Sequence, residues 1–478
     1  MKNISKRAGI LTLVLGISLS SCKDSFLEAI PETSLSDATV FATPDRILSQ
    51  VNGLYGSAKN GSLYGGRYQI YNDIRAEEFI NRTTNTVTGY TTYQGNQDPS
   101  DTYIASFWTR GYLTINMANL LLEGLDANPG VVSDQLATNY RGEAKFVRAL
   151  TYFGLVQFFA KPYALDNGAS PGLPLRLKGE TTSDNNDLAR STVAQIYDQI
   201  LKDLNEAEAA LPDNYSTPEL RTTRAHKNSA IALKTRVMLA KKDYQGVITE
   251  ANKLVSATAP FKSSNRVAHE LLADVVAVFR APYTTLENIF SFPMSVNDAP
   301  GTQNQIGYYF NAGNVEYFIN TGPTGIYSNP QFPATDARKS KLTVATTSVS
   351  ANPSSTKFSG VSPYIDYVPM IRYAEVLLNL AEAEAEAGSL VRARALLDAV
   401  HHRSDPTYDF GTLDKAGLIQ AILTERRIEL FAEGFRSNDI LRRAQPLNSF
   451  GAGAVIQPTD NRYIFAIPVI ETQTNKAL

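Results

Sequence analysis

Apolar residues recur at helical spacing through most of the chain. Ile47, Leu48, Val51 and Leu54 mark a short helix that Pro44 opens, with Gly56 near its end. Residues 59–100 break that pattern with Gly, Asn, Thr and Tyr, and predict loop with short strands. A helical hairpin follows, with one arm from about Asp101 to Leu125 and the other from about Ser133 to Phe159. Asn128-Pro129-Gly130 turns between the arms, and Lys161-Pro162 stops the second. After a Pro/Gly/Asp loop at 163–190, Ser191 is expected to cap a helix reaching about Ala210, with Ile196, Ile200, Leu204 and Ala207 on one face. Residues 258–365 return to Pro, Gly, Asn, Ser and Thr with short alternating segments, which predicts a long irregular insert. The closing run from Arg462 to Pro468 reads as a short strand.

Two stretches repeat one pattern. Residues 228–256 and 372–403 each read helix, turn, helix, with Lys242-Asp243-Tyr244 and Gly388-Ser389-Leu390 at the turns. Registered on Lys242 and Gly388, Thr235 meets Ala381, Val247 meets Ala393, Ala251 meets Leu397 and Leu254 meets Val400. Pro260 and Pro406 both fall 18 residues after the registered position. This is a degenerate tetratricopeptide-type hairpin, with Met238 and Glu384 where a Tyr is usual. Such a hairpin buries its apolar face only by stacking on neighbours, so the earlier hairpins are expected to join one stack.

The first residues read as an address rather than as fold. Lys2, Lys6 and Arg7 precede a 12-residue apolar run, Ala8 to Leu19, and Leu19-Ser20-Ser21-Cys22 resembles a bacterial lipobox. Cleavage before Cys22 would leave a thiol for diacylation, and acyl chains anchor without a spanning helix. Composition narrows the rest. The 478 residues are 43% hydrophobic, with a single Cys, so an internal disulfide and any multi-Cys metal site are excluded. Removing the three leader cations from 45 Lys+Arg leaves 42 against 47 Asp+Glu, a net charge of −5. That balance gives no nucleic-acid footprint.

No catalytic constellation emerges. Gly168-Ala-Ser170-Pro-Gly172 matches a nucleophile elbow by letters, but Pro171 and Pro174 forbid the helix such an elbow needs. His401 and His402 are adjacent and so diverge on a helix, and His269-Glu270 lacks a second His. Glu425, Glu429 and Glu433 share one helix face, and Arg426, Arg427, Arg436 and Arg442 are the expected partners in a structural ion-pair network. Glu382, Glu384 and Glu386 read as a solvated face. Trp108, beside Phe107, reads as core.

Tyrosine carries the functional reading. Eight of the 24 lie between Tyr55 and Tyr112, and a second set, Tyr283, Tyr308, Tyr309, Tyr317 and Tyr327, lies in the insert. Tyrosine rings in loops offer flat apolar faces, and Asn, Asp and Arg beside them offer planar hydrogen-bonding groups. Tyr71, Asn72, Asp73, Arg75, Tyr93 and Asn96 on one side, and Tyr308, Tyr309 and Tyr317 on the other, are the expected ligand-binding residues.

Several strings resemble the SusD/RagB family of outer-membrane lipoproteins. They are Cys22-Lys-Asp-Ser-Phe-Leu-Glu28, Gly142 to Phe153, Arg372-Tyr-Ala-Glu-Val-Leu-Leu378 with Glu382 and Glu384, Glu425 to Arg442, and Ala466-Ile-Pro468 with Glu471. The resemblance implies a mainly α, tetratricopeptide-like scaffold with loop-rich inserts. It divides the chain into a signal peptide (1–21), an N-terminal helical region (22–257), the insert (258–365) and a C-terminal helical region (366–478). It further implies a non-enzymatic, cofactor-free and metal-free surface protein. Anchored in the outer membrane through Cys22, such a protein passes oligosaccharides to a SusC-like TonB-dependent transporter. A peptide-binding member of the family and a surface glycosidase working from the Glu425 helix are the alternatives.

Overall fold

The computed structural model describes residues 39–478 except 185, 264, 312 and 347–350. Cys22 and its flanks lie outside the described residues. Eleven helices carry the architecture: α1 (Pro44–Ala58), α2 (Arg67–Ile74), α3 (Thr102–Ala127), α4 (Asp134–Phe159), α5 (Val193–Ala210), α6 (Lys227–Lys241), α7 (Tyr244–Ala251), α8 (Tyr373–Ala387), α9 (Leu390–His402), α10 (Lys415–Glu429) and α11 (Arg436–Arg442). From α3 to α10 each helix packs on the next along the chain, and α7 packs on α8 across the insert. The two repeat hairpins, α6–α7 and α8–α9, therefore stand side by side in one helical stack, and all four aligned pairs of the register are buried.

Local chemistry sets the boundaries. Thr43 accepts from Arg46 N before Pro44 of α1, Asp101 accepts from Tyr103 N and Ile104 N at α3, and Ser133 accepts from Leu136 N at α4. At α5 the cap is Thr192, not Ser191, because Gln195 closes a reciprocal capping box with it. Ser191 instead belongs to the strand Arg190–Thr192, which pairs with Pro171–Pro174. At the registered turn position Lys242 takes the left-handed conformation (φ 60°) that ends α6, while Gly388 does not (φ −129°).

The insert is part of the core. Its strand Asn288–Phe292 pairs antiparallel with Val368–Arg372, immediately before α8, and every residue of both strands is buried. Phe290 and Phe292 pack against Tyr55, Phe146 and Tyr64, each burial contributing roughly 1.5–3 kcal/mol. The 59–100 stretch, expected as loop with short strands, holds α2 and the short helix Tyr90–Tyr93, and its one strand, Phe79–Asn81, pairs with Tyr317–Ile319 of the insert. The Arg462–Pro468 run forms no strand: Arg462 and Tyr463 close a single 3-10 turn (Asn461–Tyr463), and beyond it Phe465 N donates to Phe158 O at the end of α4 (2.7 Å) while the Phe465 ring stacks on Phe158. Trp108 is buried and donates to Glu471 Oε2 (3.1 Å).

The sequence put Glu425, Glu429 and Glu433 on one helix face, but α10 ends at Glu429 and Glu433 falls in the turn beyond it; the three form a buried ion-pair network, with partners other than those the sequence suggested. Glu425 binds Arg338 and His401 Nδ1 (2.7 Å). Glu429 binds Arg338 (2.9 Å), Arg372 (2.9 Å) and Arg403 (2.6 Å). Glu433 binds Arg372 (2.6 Å) and Lys357 (2.8 Å). Burial opposes ionisation of Glu429, but the guanidiniums of Arg403, Arg372 and Arg338 outweigh it and hold the carboxyl well below its ordinary range. The arginines near α10 turn elsewhere: Arg426 to Asp439, Arg427 and Arg436 to Glu77 and Glu78, Arg442 to Glu382 and Asp439. Glu382 is thus fully buried against Arg442 and Arg443, not solvated.

Candidate functional site

Most of the residues expected to touch ligand are interior, and most of their polar atoms are occupied, Arg75 Nη1 excepted. Asn72 Nδ2 donates to Tyr68 O (2.9 Å) and its Oδ1 accepts from Ser437 Oγ (2.9 Å). Asp73 Oδ2 accepts from Gly434 N (2.8 Å). Arg75 Nη2 donates to Tyr463 O (2.8 Å), and its guanidinium lies 4.8 Å from the Phe465 ring. This segment clasps α2 to the C-terminal stretch. Burial pushes the Asp73 carboxyl up to about 8, against the Gly434 and Arg436 amides that favour its ionised form. Tyr71, Tyr93, Tyr309 and Tyr317 are buried too. A ring closed on both faces cannot stack on a sugar, so these seven residues support the surface instead of forming it.

The structure nevertheless brings the two tyrosine loops together. Tyr93 packs edge-on against Tyr317 (centroids 5.7 Å), and Tyr317 lies nearly parallel to Tyr309 (6.2 Å, 10°). Tyr317 Oη donates to Thr88 O (3.0 Å) and Tyr309 Oη to Gln303 O (2.9 Å). Burial raises both phenols far above the ordinary tyrosine range and lifts Tyr71 to about 12. The loops also interlock through backbone. The Asn304 carbonyl oxygen would lie 1.7 Å from a Cβ on Gly66, so only glycine permits this approach.

Above this base lies a partly exposed rim. Tyr90 stacks on Tyr93 (6.2 Å, 25°), and its hydroxyl accepts from Gln94 Nε2 (3.0 Å). The short helix Tyr90–Tyr93 thus splits its two rings, Tyr93 inward and Tyr90 partly outward. Across the junction, Tyr308 is half-buried, and its hydroxyl accepts from Gln303 Nε2 (3.2 Å). Arg67 ties the two sides: it donates to Tyr71 Oη (2.7 Å) and Asn304 Oδ1 (3.1 Å) and lies under the Tyr103 ring (4.3 Å). Asn96 is exposed. The hairpin Leu447–Ser449 with Ala454–Ile456 closes the near side. There Ser449 Oγ donates to Tyr93 O (3.4 Å), and Phe450 is 42% exposed. Of the expected residues, only Asn96 and Tyr308 reach the surface here. Tyr103, Gln303 and Phe450 were missed, while Tyr90 and Gln94 belong to the Tyr90–Asn96 string that the sequence marks as aromatic plus amide.

The rim can hold a flat, hydroxyl-rich ligand: phenol rings offer apolar faces and the amides of Gln94, Asn96 and Gln303 offer donors and acceptors together. Acid–base chemistry has no comparable seat on α10. Glu425 and Glu429 are buried and locked to guanidiniums, so no substrate reaches them. Ser170, in the letter match to a nucleophile elbow, follows no helix-opening strand and donates to Asp166. Among the described residues, no group of three His, Cys, Asp or Glu is placed to hold a metal ion.

A tetratricopeptide-type helical stack that presents an aromatic loop junction defines a class of ligand-capturing scaffold. Two family models match the chain, one described as starch-binding and associating with the outer membrane over residues 25–239, the other as the SusD family over residues 297–476. A SusD superfamily crystal structure from Bacteroides fragilis is 34% identical, covers 92% of this chain and 99% of its own, and superposes with a TM-score of 0.83. SusD-like protein P38 of Formosa agariphila is 26% identical over 98% of both chains. A laminarin-binding SusD-like protein shares the fold at 20% identity, with a TM-score of 0.70 over 91% of this chain and 98% of its own. The chain belongs to the SusD/RagB family.

Proposed function

We propose that this protein captures oligosaccharides at the Tyr90–Tyr308 junction and delivers them, unmodified, to a SusC-like TonB-dependent transporter. It does so from the cell surface, held in the outer membrane by acyl chains on Cys22. The observation that carries the reading is the contact of Tyr93 with Tyr317, which joins two tyrosine-rich loops that keep Tyr90, Gln94 and Asn96 on one and Gln303 and Tyr308 on the other partly or fully exposed. Family membership supports a carbohydrate cargo, and the laminarin-binding relative makes a β-glucan the first ligand to try.

A glycan array read beside a peptide library tests the cargo. Binding to one or more glycans and to no peptide is expected; the reverse would move the protein to peptide capture. Fractionation tests the anchor. Cys22→Ala is expected to fold normally yet leave the membrane fraction, and a variant that stays membrane-bound would refute lipidation at Cys22. Co-purification with the transporter from solubilised outer membranes tests the partner, and its absence would leave capture without delivery.

A further inference from the structure

The row of tyrosines continues past the junction. Tyr364 packs edge-on against Tyr308 (centroids 5.7 Å, 87°). Two residues further along, Asp366 accepts from Tyr283 Oη (3.2 Å), and Tyr283 lies parallel on Tyr367 (4.7 Å, 19°). All of these rings are partly exposed, unlike Tyr309 and Tyr317 beneath the junction. Val361, in the same loop as Tyr364, is 81% exposed.

The backbone is arranged to keep two of these rings outward. Tyr283 and Tyr364 have φ of 62° and 59°, a left-handed conformation that is rare for bulky side chains and persists only where the surroundings enforce it. Enforcement is visible. Tyr283 N donates to Arg280 O (2.9 Å), Asn288 Nδ2 donates to Tyr283 O (2.7 Å), and Tyr364 N donates to Val361 O (2.7 Å). Asp366 clamps the loop further by accepting from Gly360 N (3.0 Å). A segment that served only the core would not need strained tyrosines at its surface.

The polar surroundings restrict the ligand. Glu219 Oε1 accepts from Tyr367 Oη (2.8 Å), which sets carboxylates of Glu219 and Asp366 on either side of the stacked pair. The nearby Arg280 guanidinium is directed to the carbonyls of Thr356 (3.0 Å) and Lys357 (2.9 Å), not to solvent anions. An anionic chain would meet repulsion here without a compensating cation.

Resting on the functional reading above, we infer that the binding face extends across Tyr364 to the Tyr283–Tyr367 pair. That pair is a second stacking station, so the ligand is a neutral glycan chain long enough to engage both stations at once. Engagement of the second station is then intramolecular, and affinity grows with chain length.

The test titrates a chain-length series of the neutral glycan found on the array, from disaccharide upward, against wild type, the Tyr283→Ala/Tyr367→Ala double variant and Tyr367→Phe. Melting temperatures are measured in parallel. Wild type should bind the longest chain at least tenfold more tightly than the disaccharide. The double variant should lose that gain, about tenfold, while keeping disaccharide affinity, and Tyr367→Phe should keep both. Three results overturn the inference: wild-type affinity that does not rise with length, which needs no variant; a folded double variant with unchanged long-chain affinity; or tighter binding of a uronic or sulfated chain. Binding of no glycan at all refutes the functional reading itself, and the extension with it.

Discussion

Two clusters in this molecule have almost the same composition and opposite roles. Tyr71, Asn72, Asp73 and Arg75 supply an aromatic ring, an amide, a carboxylate and a guanidinium within five residues, and the fold buries all of them. Tyr90, Gln94 and Asn96, with Gln303 and Tyr308 across the junction, offer similar chemistry and keep part of it at the surface. The difference lies in partners far along the chain. Gly434, Ser437 and Tyr463 hydrogen-bond the first cluster, whereas the second largely satisfies itself locally, through Gln94 to Tyr90 and Gln303 to Tyr308. A polar–aromatic string becomes a clasp when distant groups complete its hydrogen bonds and remains a binding edge when they do not.

The comparison is broken most severely by acid. Burial holds neutral His226 at about 3 and His269 at about 4, below the ordinary histidine value, so the stability they contribute is present above about pH 6.5 and lost as pH falls toward those values. Glu425, Glu429 and Glu382 also lie below their ordinary range, burial opposing and arginines overriding, so a second loss follows below about pH 4.5. Asp73 has the opposite sign: with its carboxyl raised to about 8, its contribution is fully present below about pH 3.8 and is lost progressively as pH rises from there through 8. Melting followed across pH should show the two-stage acid loss, and Asp73→Asn should remove an opposing decline that runs between about pH 3.8 and 8.

Removal of one network member comes next. Arg372→Ala leaves Glu287, Glu429 and Glu433 short of a buried counter-charge and should cost about 3–5 kcal/mol in denaturant unfolding. Asp73→Ala orphans the Gly434 amide and should cost about 1–3 kcal/mol, with glycan affinity of the folded protein unchanged. If Asp73→Ala instead abolished binding at unchanged stability, the clasp would be part of the site after all.

Much of the fold was legible in the sequence. Helical spacing located α1 and α3 to α9, Asp101 and Ser133 marked the starts of α3 and α4, and the turn registration exposed the paired hairpins. What escaped depends on long-range pairing. Ser191 looked like a cap until Gln195 selected Thr192. The 462–468 run looked like a strand from its apolar residues, yet it starts in a 3-10 turn and Phe465 bonds the end of a helix. The acidic face of α10 read as structural, but its arginines come from residues 338, 372 and 403, which no spacing rule links to it. At the site, the two loops and their meeting were anticipated, while the choice of inward and outward rings was not. Tyrosine serves both environments, so its neighbours in sequence do not decide which face it shows.

The central claim is that the outer ring of the junction holds cargo and the inner ring holds the fold. Melting temperature and glycan affinity measured side by side for Tyr308→Ala and Tyr317→Ala test it directly. Tyr308→Ala should weaken binding by about 1–2 kcal/mol at an unchanged melting temperature. Tyr317→Ala should lower stability by about 3–5 kcal/mol, with affinity retained by the protein that remains folded. A stable Tyr317→Ala that no longer binds, beside a Tyr308→Ala that binds normally, would contradict the account.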